Sequence, residues 1–253
     1  MTPHHTSPKH LLKQRIILVT GASAGIGREA ALTYARFGAQ LVLLGRTESK
    51  LQAVQAKIAA MGGLPAHIVT LDLLHTTPAQ CQQVADDLTA QIPRLDGVSH
   101  NAGGLGDIAP MIELSMTMWQ EVMHVSATVM LTQALLPLLL RSHAGSLVLT
   151  SSSVGRTGRA NWGAYAASKF ATEDTMQVLA DEYRSRNLRV NCINPGGTRS
   201  KMRAASFPHE DSSRLKTPAD IMPLYLYLMG DDSRFKTGMT FDAQPHRKPG
   251  AIV

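Results

Sequence analysis

One local pattern constrains this chain more than any other. A short apolar run, Ile16-Ile-Leu-Val-Thr20, ends in the glycine-rich turn Gly21-Ala-Ser-Ala-Gly25-Ile-Gly27, and the chain then takes up helical apolar spacing from Arg28 to Phe37. The apolar pentad reads as a buried strand. Glycine lets the backbone turn tightly and approach a ligand with no Cβ in the way. The start of the following helix offers free N–H groups and the positive end of a dipole, which together suit a pyrophosphate. A structural turn is the competing reading; the placement between a first strand and a first helix favours the phosphate turn.

The rest of the chain keeps the alternation. Leu41 to Leu44, His67 to Leu71, Val98 to Asn101, Ser146 to Thr150 and Leu188 to Ile193 read as strands. Helical patterns cover Glu48 to Met61, Pro78 to Gln91, Thr117 to Arg141, Trp162 to Arg186 and Pro218 to Met229. This βαβα order predicts a doubly wound α/β fold, a parallel sheet with helices on both faces. Residues 1 to about 12 read as a flexible arm and 13–253 as one domain. Ligands of such sheets bind beyond the carboxyl ends of the strands.

Composition narrows the function classes. With 253 residues, 44% hydrophobic, the chain can bury a large core. No uninterrupted apolar run reaches the length of a spanning helix, and the His-rich first residues carry no apolar signal core. Two cysteines, Cys81 and Cys192, cannot build a disulfide framework, so a reducing cytoplasm is expected. The net charge of +6 is scattered and aromatics make up 5%, so no nucleic-acid surface is expected. No metal site is expected: His4 and His5 are adjacent in the arm, and no His-Glu-x-x-His pattern occurs. Cys192 and the methionines Met111, Met116, Met118, Met123 and Met130 read as packing or strand residues, and His100 as a hydrogen-bonded strand histidine, with a reach to the cofactor edge as the alternative.

Chemistry gathers at the predicted strand ends. An NAD site places an acid about 20 residues past the glycine turn. Here the slot holds Gly45 with Arg46 beside it, which suits the 2′-phosphate of NADP(H); an exposed surface arginine is the alternative. Asp72, next to Leu73, could accept from an adenine amine or cap a turn, and the sequence leaves both open. Asn101-Ala102-Gly103 is again permissive backbone at a strand end. Tyr165 and Lys169 stand four apart on one helical face, and Ser152 stands 13 residues before the tyrosine at the end of a strand. A phenol that donates near neutrality gains from a pKa lowered by about 2–3 units, roughly 3–4 kcal/mol. The Lys169 ammonium and the positive nicotinamide ring of a bound cofactor are the expected causes of such a lowering.

With these residues the chain resembles the short-chain dehydrogenase/reductase family from about Gln14 to Asp242. The resemblance rests on Thr20-Gly-Ala-Ser-Ala-Gly-Ile-Gly27, Asn101-Ala-Gly103, Ser152, Tyr165-Ala-Ala-Ser-Lys169 and Asn194-Pro-Gly-Gly-Thr198. Within it, Arg156 to Met176 and Thr217 to Pro245 look like the bacterial YciK-type oxidoreductases. The resemblance implies a Rossmann sheet of about seven strands and NADP-linked hydride transfer to or from a carbonyl or secondary alcohol. It implies Ser152, Tyr165 and Lys169 as catalytic residues. The implied cofactor set is Thr20, Gly21, Ser23, Gly25, Ile26 and Gly27 at the turn, then Arg46, Asp72, Leu73, Asn101, Ala102 and Gly103, then Tyr165, Lys169, Pro195, Gly196 and Thr198. It further implies a substrate lid over about 199–216 and a homo-oligomer built on the two long helices.

One departure stands out. The family's fourth catalytic residue is an asparagine seven residues after a tryptophan; here Trp119 is followed at that distance by Ser126. The segment from Trp119 to Gln133 is also about two residues short of the pattern. Two residues turn a helix by roughly 200°, so the region must bulge, tighten or shift register. Ser126 and His124 are the candidate substitutes. Two other functions stay open: a dinucleotide-binding homologue without turnover, and a 3-oxoacyl-(acyl carrier protein) reductase that uses basic lid residues such as Arg203.

Overall fold

The computed structural model describes residues 10–123 and 125–246. The strands are β1 (Ile16–Thr20), β2 (Gln40–Gly45), β3 (His67–Thr70), β4 (Gly97–His100), β5 (Gly145–Thr150), β6 (Leu188–Asn194) and β7 (Met239–Asp242). They form one sheet in the order β3-β2-β1-β4-β5-β6-β7, and each adjacent pair is parallel. The helices are α1 (Gly25–Arg36), α2 (Glu48–Ala60), α3 (Pro78–Gln91), α4 (Met116–Val122), α5 (Val125–Leu140), α6 (Gly163–Glu182), α7 (Lys201–Ser206) and α8 (Met222–Met229).

Strand alternation builds two cores. Ile17, Val19, Leu41 and Leu43 face α1, α2 and α8, where Tyr34, Leu51 and Tyr225 are fully buried. Leu18, Val42, Leu44 and Val98 face α3, α5 and α6, against Leu88, Leu131, Leu135 and Met176. Strand order reverses between β1 and β4, which opens a crevice at their carboxyl ends. Thr77 and Gln80 close a capping box at the start of α3, with Pro78 in the first turn where its missing N–H costs nothing.

Four expectations change. The long helix expected from Thr117 to Arg141 is two helices, α4 and α5. The last turn of α4 closes at Met123, whose N–H reaches the Trp119 and Gln120 carbonyls. The break falls inside the segment that is two residues short, where a continuous helix would rotate one half against the other. Residues 10–12 are not a loose arm: Leu12 is fully buried and its N–H bonds the Phe37 carbonyl. The helix expected from Pro218 starts as a 3-10 turn, Ala219–Ile221, and α8 begins afresh with Pro223 in its first turn, because proline cannot donate an interior helix bond. Met111 and Met116 are exposed rather than packed, since they sit in a 3-10 turn and in the first turn of α4.

The segment Met116–Leu140 has a mean hydropathy of 1.6 and, by length and composition, could match a membrane span. Leu131, Leu135, Leu138 and Leu139 are instead buried in the core under the sheet.

Candidate active site

A cleft of about 2110 Å³ runs along the carboxyl edge of the sheet, from Arg46 after β2 to Phe207 after α7. That exceeds the ~300–1,000 Å³ of a typical small-ligand pocket and leaves room for a dinucleotide and a substrate together. The turn after β1 forms its floor. Gly21 adopts φ +65, and a Cβ there would press on the Ala102 backbone at 3.1 Å. A Cβ on Gly27 would fall 2.5 Å from the Gly21 carbonyl oxygen, so α1 can sit this close to the turn only with glycine. No side chain caps the α1 N-terminus and no acid stands in its first turn. Its N–H groups and dipole therefore face the cleft.

Thr20 is placed differently from expectation. It is buried beneath the turn and does not line the cleft. Its Oγ1 accepts from the backbone N–H groups of both Asn101 and Ala102 at 3.0 Å, tying the end of β1 to the end of β4. Asn101 lines the cleft, with its side chain bonded to the neighbouring strands. Its Nδ2 donates to the Ser99 carbonyl and hydroxyl, and its Oδ1 accepts from Thr150.

At the outer end, Arg46 is exposed on the cleft wall, with Lys50 of α2 and Arg28 of α1 on the same wall. Asp72 caps its own turn: Oδ1 accepts from the Leu74 N–H at 3.1 Å, and Oδ2 pairs with His75. These contacts hold its carboxyl below the usual range, the Leu74 N–H most of all. Leu73 lines the cleft beside it. Ser23, Gly25, Ile26, Gly103, Pro195, Gly196 and Thr198 also line it. Gln244, which the sequence did not single out, braces the loop after β6 by donating to the Pro195 and Gly197 carbonyls.

Ser152, Tyr165 and Lys169 meet at the inner end. Lys169 Nζ donates to the Thr150 carbonyl at 2.8 Å, and the Ser152 hydroxyl stands near the phenol. The ammonium lies 5.5 Å from the Tyr165 ring centroid. The acidic phenol expected from sequence is reversed among the protein's own groups. Burial pushes Tyr165 up to about 12, against smaller opposing effects of Ser152 and Arg203. Burial also pulls Lys169 down to about 8. Both groups are desolvated, and each then disfavours its own charge.

A model of short chain dehydrogenases matches residues 15–211 of this chain. The chain belongs to that family. It is 68% identical over 249 residues to the oxidoreductase YciK of Escherichia coli (strain K12), covering 98% of each. It is similar to the crystal structure of a short chain dehydrogenase from Shigella flexneri 2a str. 301 complexed with NADP (68% identity, TM-score 0.92, 94% of this chain and 100% of that one). It is equally similar to one from Escherichia coli CFT073 complexed with NADPH (68% identity, TM-score 0.93, 94% and 100%).

As a short chain dehydrogenase the chain departs from pattern where the sequence indicated. Ser126 is exposed and lies outside the cleft, so it does not take the asparagine's place; the break before α5 turns it outward and brings Ala127 and Thr128 to the wall instead. His124 lies outside the described residues. His100 does not reach the cleft; its Nε2 pairs with Thr132 Oγ1 at 3.0 Å, and burial pulls it down to about 4.

The segment 199–216 covers the inner end. It is pinned at its neck by the Thr198–Lys216 bridge and by Arg199, which donates to the Ser212, Ser213 and Leu215 carbonyls. Arg203 forms a two-bond pair with Glu210, 2.7 Å each, and lies 3.8 Å over the Phe207 ring. Phe207 meets Trp162 at 5.8 Å, and Trp162 meets Tyr165 at 5.9 Å. The segment thus reaches the tyrosine through a run of rings.

Proposed function

We propose that this chain is an NADP(H)-dependent oxidoreductase that transfers hydride between the cofactor and a carbonyl or secondary alcohol. The observation that carries the reading is the convergence of Ser152, Tyr165 and Lys169 at one end of a cleft whose other end holds an uncapped helix start and three cations. The residues fit the cofactor. The glycine turn and the α1 N–H groups suit a pyrophosphate, and Arg46, with Lys50 and Arg28, suits a 2′-phosphate that an acid at Gly45 would repel. Two relatives 68% identical to the chain are described as complexed with NADP and NADPH, which supports the same choice.

The reduced nicotinamide supplies the hydride when bound. The chain's residues supply alignment and the proton. Ser152 Oγ holds the substrate oxygen by a hydrogen bond. Tyr165 Oη gives its proton to that oxygen as the carbonyl carbon is reduced. Lys169 holds ribose hydroxyls and supplies positive charge beside the phenol. Near neutral pH the phenol is protonated, the form that reduction of a carbonyl uses. The lid rings and Trp162 exclude water over the reacting carbon.

The carrier-protein reductase reading is weakened by the lid cations, because Arg203 and Arg199 are bonded inside the lid. The missing asparagine favours one second reading, a dinucleotide-binding protein without turnover. Titration of the wild-type protein with NADPH and NADH, followed by a carbonyl panel, separates the two. Tight and selective NADPH binding with carbonyl reduction is expected; binding with no turnover on any carbonyl would replace the enzyme reading by the second.

A further inference from the structure

The buried carboxylate of Glu173 has no part in the mechanism above, yet it sits one turn beyond Lys169 on the same face of α6. Oε1 accepts from Ser151 Oγ at 2.5 Å, and Oε2 accepts from Thr240 Oγ1 on β7. The face of α6 therefore grips the end of β5 twice. Lys169 donates to the Thr150 carbonyl, and Glu173 accepts from the Ser151 hydroxyl. Burying a carboxylate is costly unless it is bonded and charge-balanced. A register pin alone could be made with a neutral side chain.

Resting on the proposed oxidoreductase reading, we propose that Glu173 is a positioning residue that fixes Lys169 against the end of β5 and keeps its ammonium charged beside the cofactor ribose. The surroundings support this. Arg156 is paired with Asp242, at the end of β7, by a two-bond contact, and Glu173 acts on it more weakly. Cys192 on β6 faces the same space, but burial pushes its thiol up, so it carries no charge near neutrality. Glu121 of α4 lines the cleft, α5 has no ionisable side chain, and Arg203 of the lid acts on Tyr165. At neutral pH the anion acting on Lys169 is then Glu173, opposing the burial that pulls the lysine down.

The test is the pH dependence of NADPH affinity in wild type and Glu173→Gln, which needs no turnover. The wild type is expected to lose affinity as Lys169 deprotonates near pH 8. Glu173→Gln keeps the shape and removes the charge, so that midpoint is expected to fall by about one pH unit. Affinity then drops up to ~tenfold near pH 8 and stays unchanged near pH 6. An unmoved midpoint, or an equal loss at every pH, overturns the proposal. A second measurement needs no cofactor. The Lys169 Nζ resonance, assigned by its loss in Lys169→Met, is expected to titrate about one pH unit lower in Glu173→Gln than in wild type; an unmoved midpoint overturns the proposal. Absence of NADPH binding would refute the oxidoreductase reading instead, and the resonance would still decide the role of Glu173.

Discussion

Replacing Lys169 by methionine should stabilise the ligand-free protein while removing its chemistry. The lysine is buried, and its pKa falls from 10.5 to about 8, a difference of about 2.5 units. At ~1.36 kcal/mol per unit, the charged lysine costs the folded state about 3 kcal/mol. Loss of the bond to the Thr150 carbonyl returns about 1 kcal/mol of that, so a net gain of about 2 kcal/mol is expected near pH 7. The sign follows from proton counts. Below about pH 8 both folded and unfolded chains carry the proton, and the full cost is present. Between about 8 and 10.5 the unfolded chain binds more protons, so wild-type stability recovers with rising pH. The advantage of Lys169→Met should therefore be largest at neutrality and disappear toward pH 10.5. Above pH 10 the raised Tyr165 contributes a fall in stability in both proteins, which cancels in the difference. Urea unfolding at a series of pH values measures it. A variant less stable than wild type near pH 7, or a difference that does not change with pH, would refute the reasoning.

Two further substitutions probe the floor of the cleft. Thr20→Val preserves shape but strands the Asn101 and Ala102 amides, and should cost about 2–4 kcal/mol in urea unfolding with little change in NADPH affinity for the protein that remains folded. Gly27→Ala forces its new Cβ against the Gly21 carbonyl oxygen, and NADPH titration should show a loss of at least ~tenfold as the turn is pushed out of shape.

What could be read from sequence was what local patterns encode. The strand, glycine turn and helix from Ile16 to Arg36 carry their period and turn chemistry within about twenty residues. Tyr165 and Lys169 are one turn apart, so their shared face needs no tertiary knowledge. Glu173 belongs to the same face but reads as a solvated helix glutamate, because its partners Ser151 and Thr240 are 22 and 67 residues away. Lys50, Arg28 and Gln244 join the cleft in the same way, by folding rather than by spacing. The strand Met239–Asp242 is too short to show a period. The Tyr165 shift expected from sequence weighs the charges of Lys169 and a nicotinamide ring; among the protein's own groups burial, which is not legible in sequence, dominates for both the phenol and the lysine. The break at Met123 was legible as a shortfall in length, but not the direction in which Ser126 would turn.

The central claim is that the Tyr165 hydroxyl delivers the proton in a reaction driven by NADPH. It is tested most directly by measuring NADPH affinity and carbonyl turnover side by side in Tyr165→Phe. The account predicts an affinity within about threefold of wild type and turnover reduced by at least ~10²-fold. Turnover preserved in the variant would contradict it.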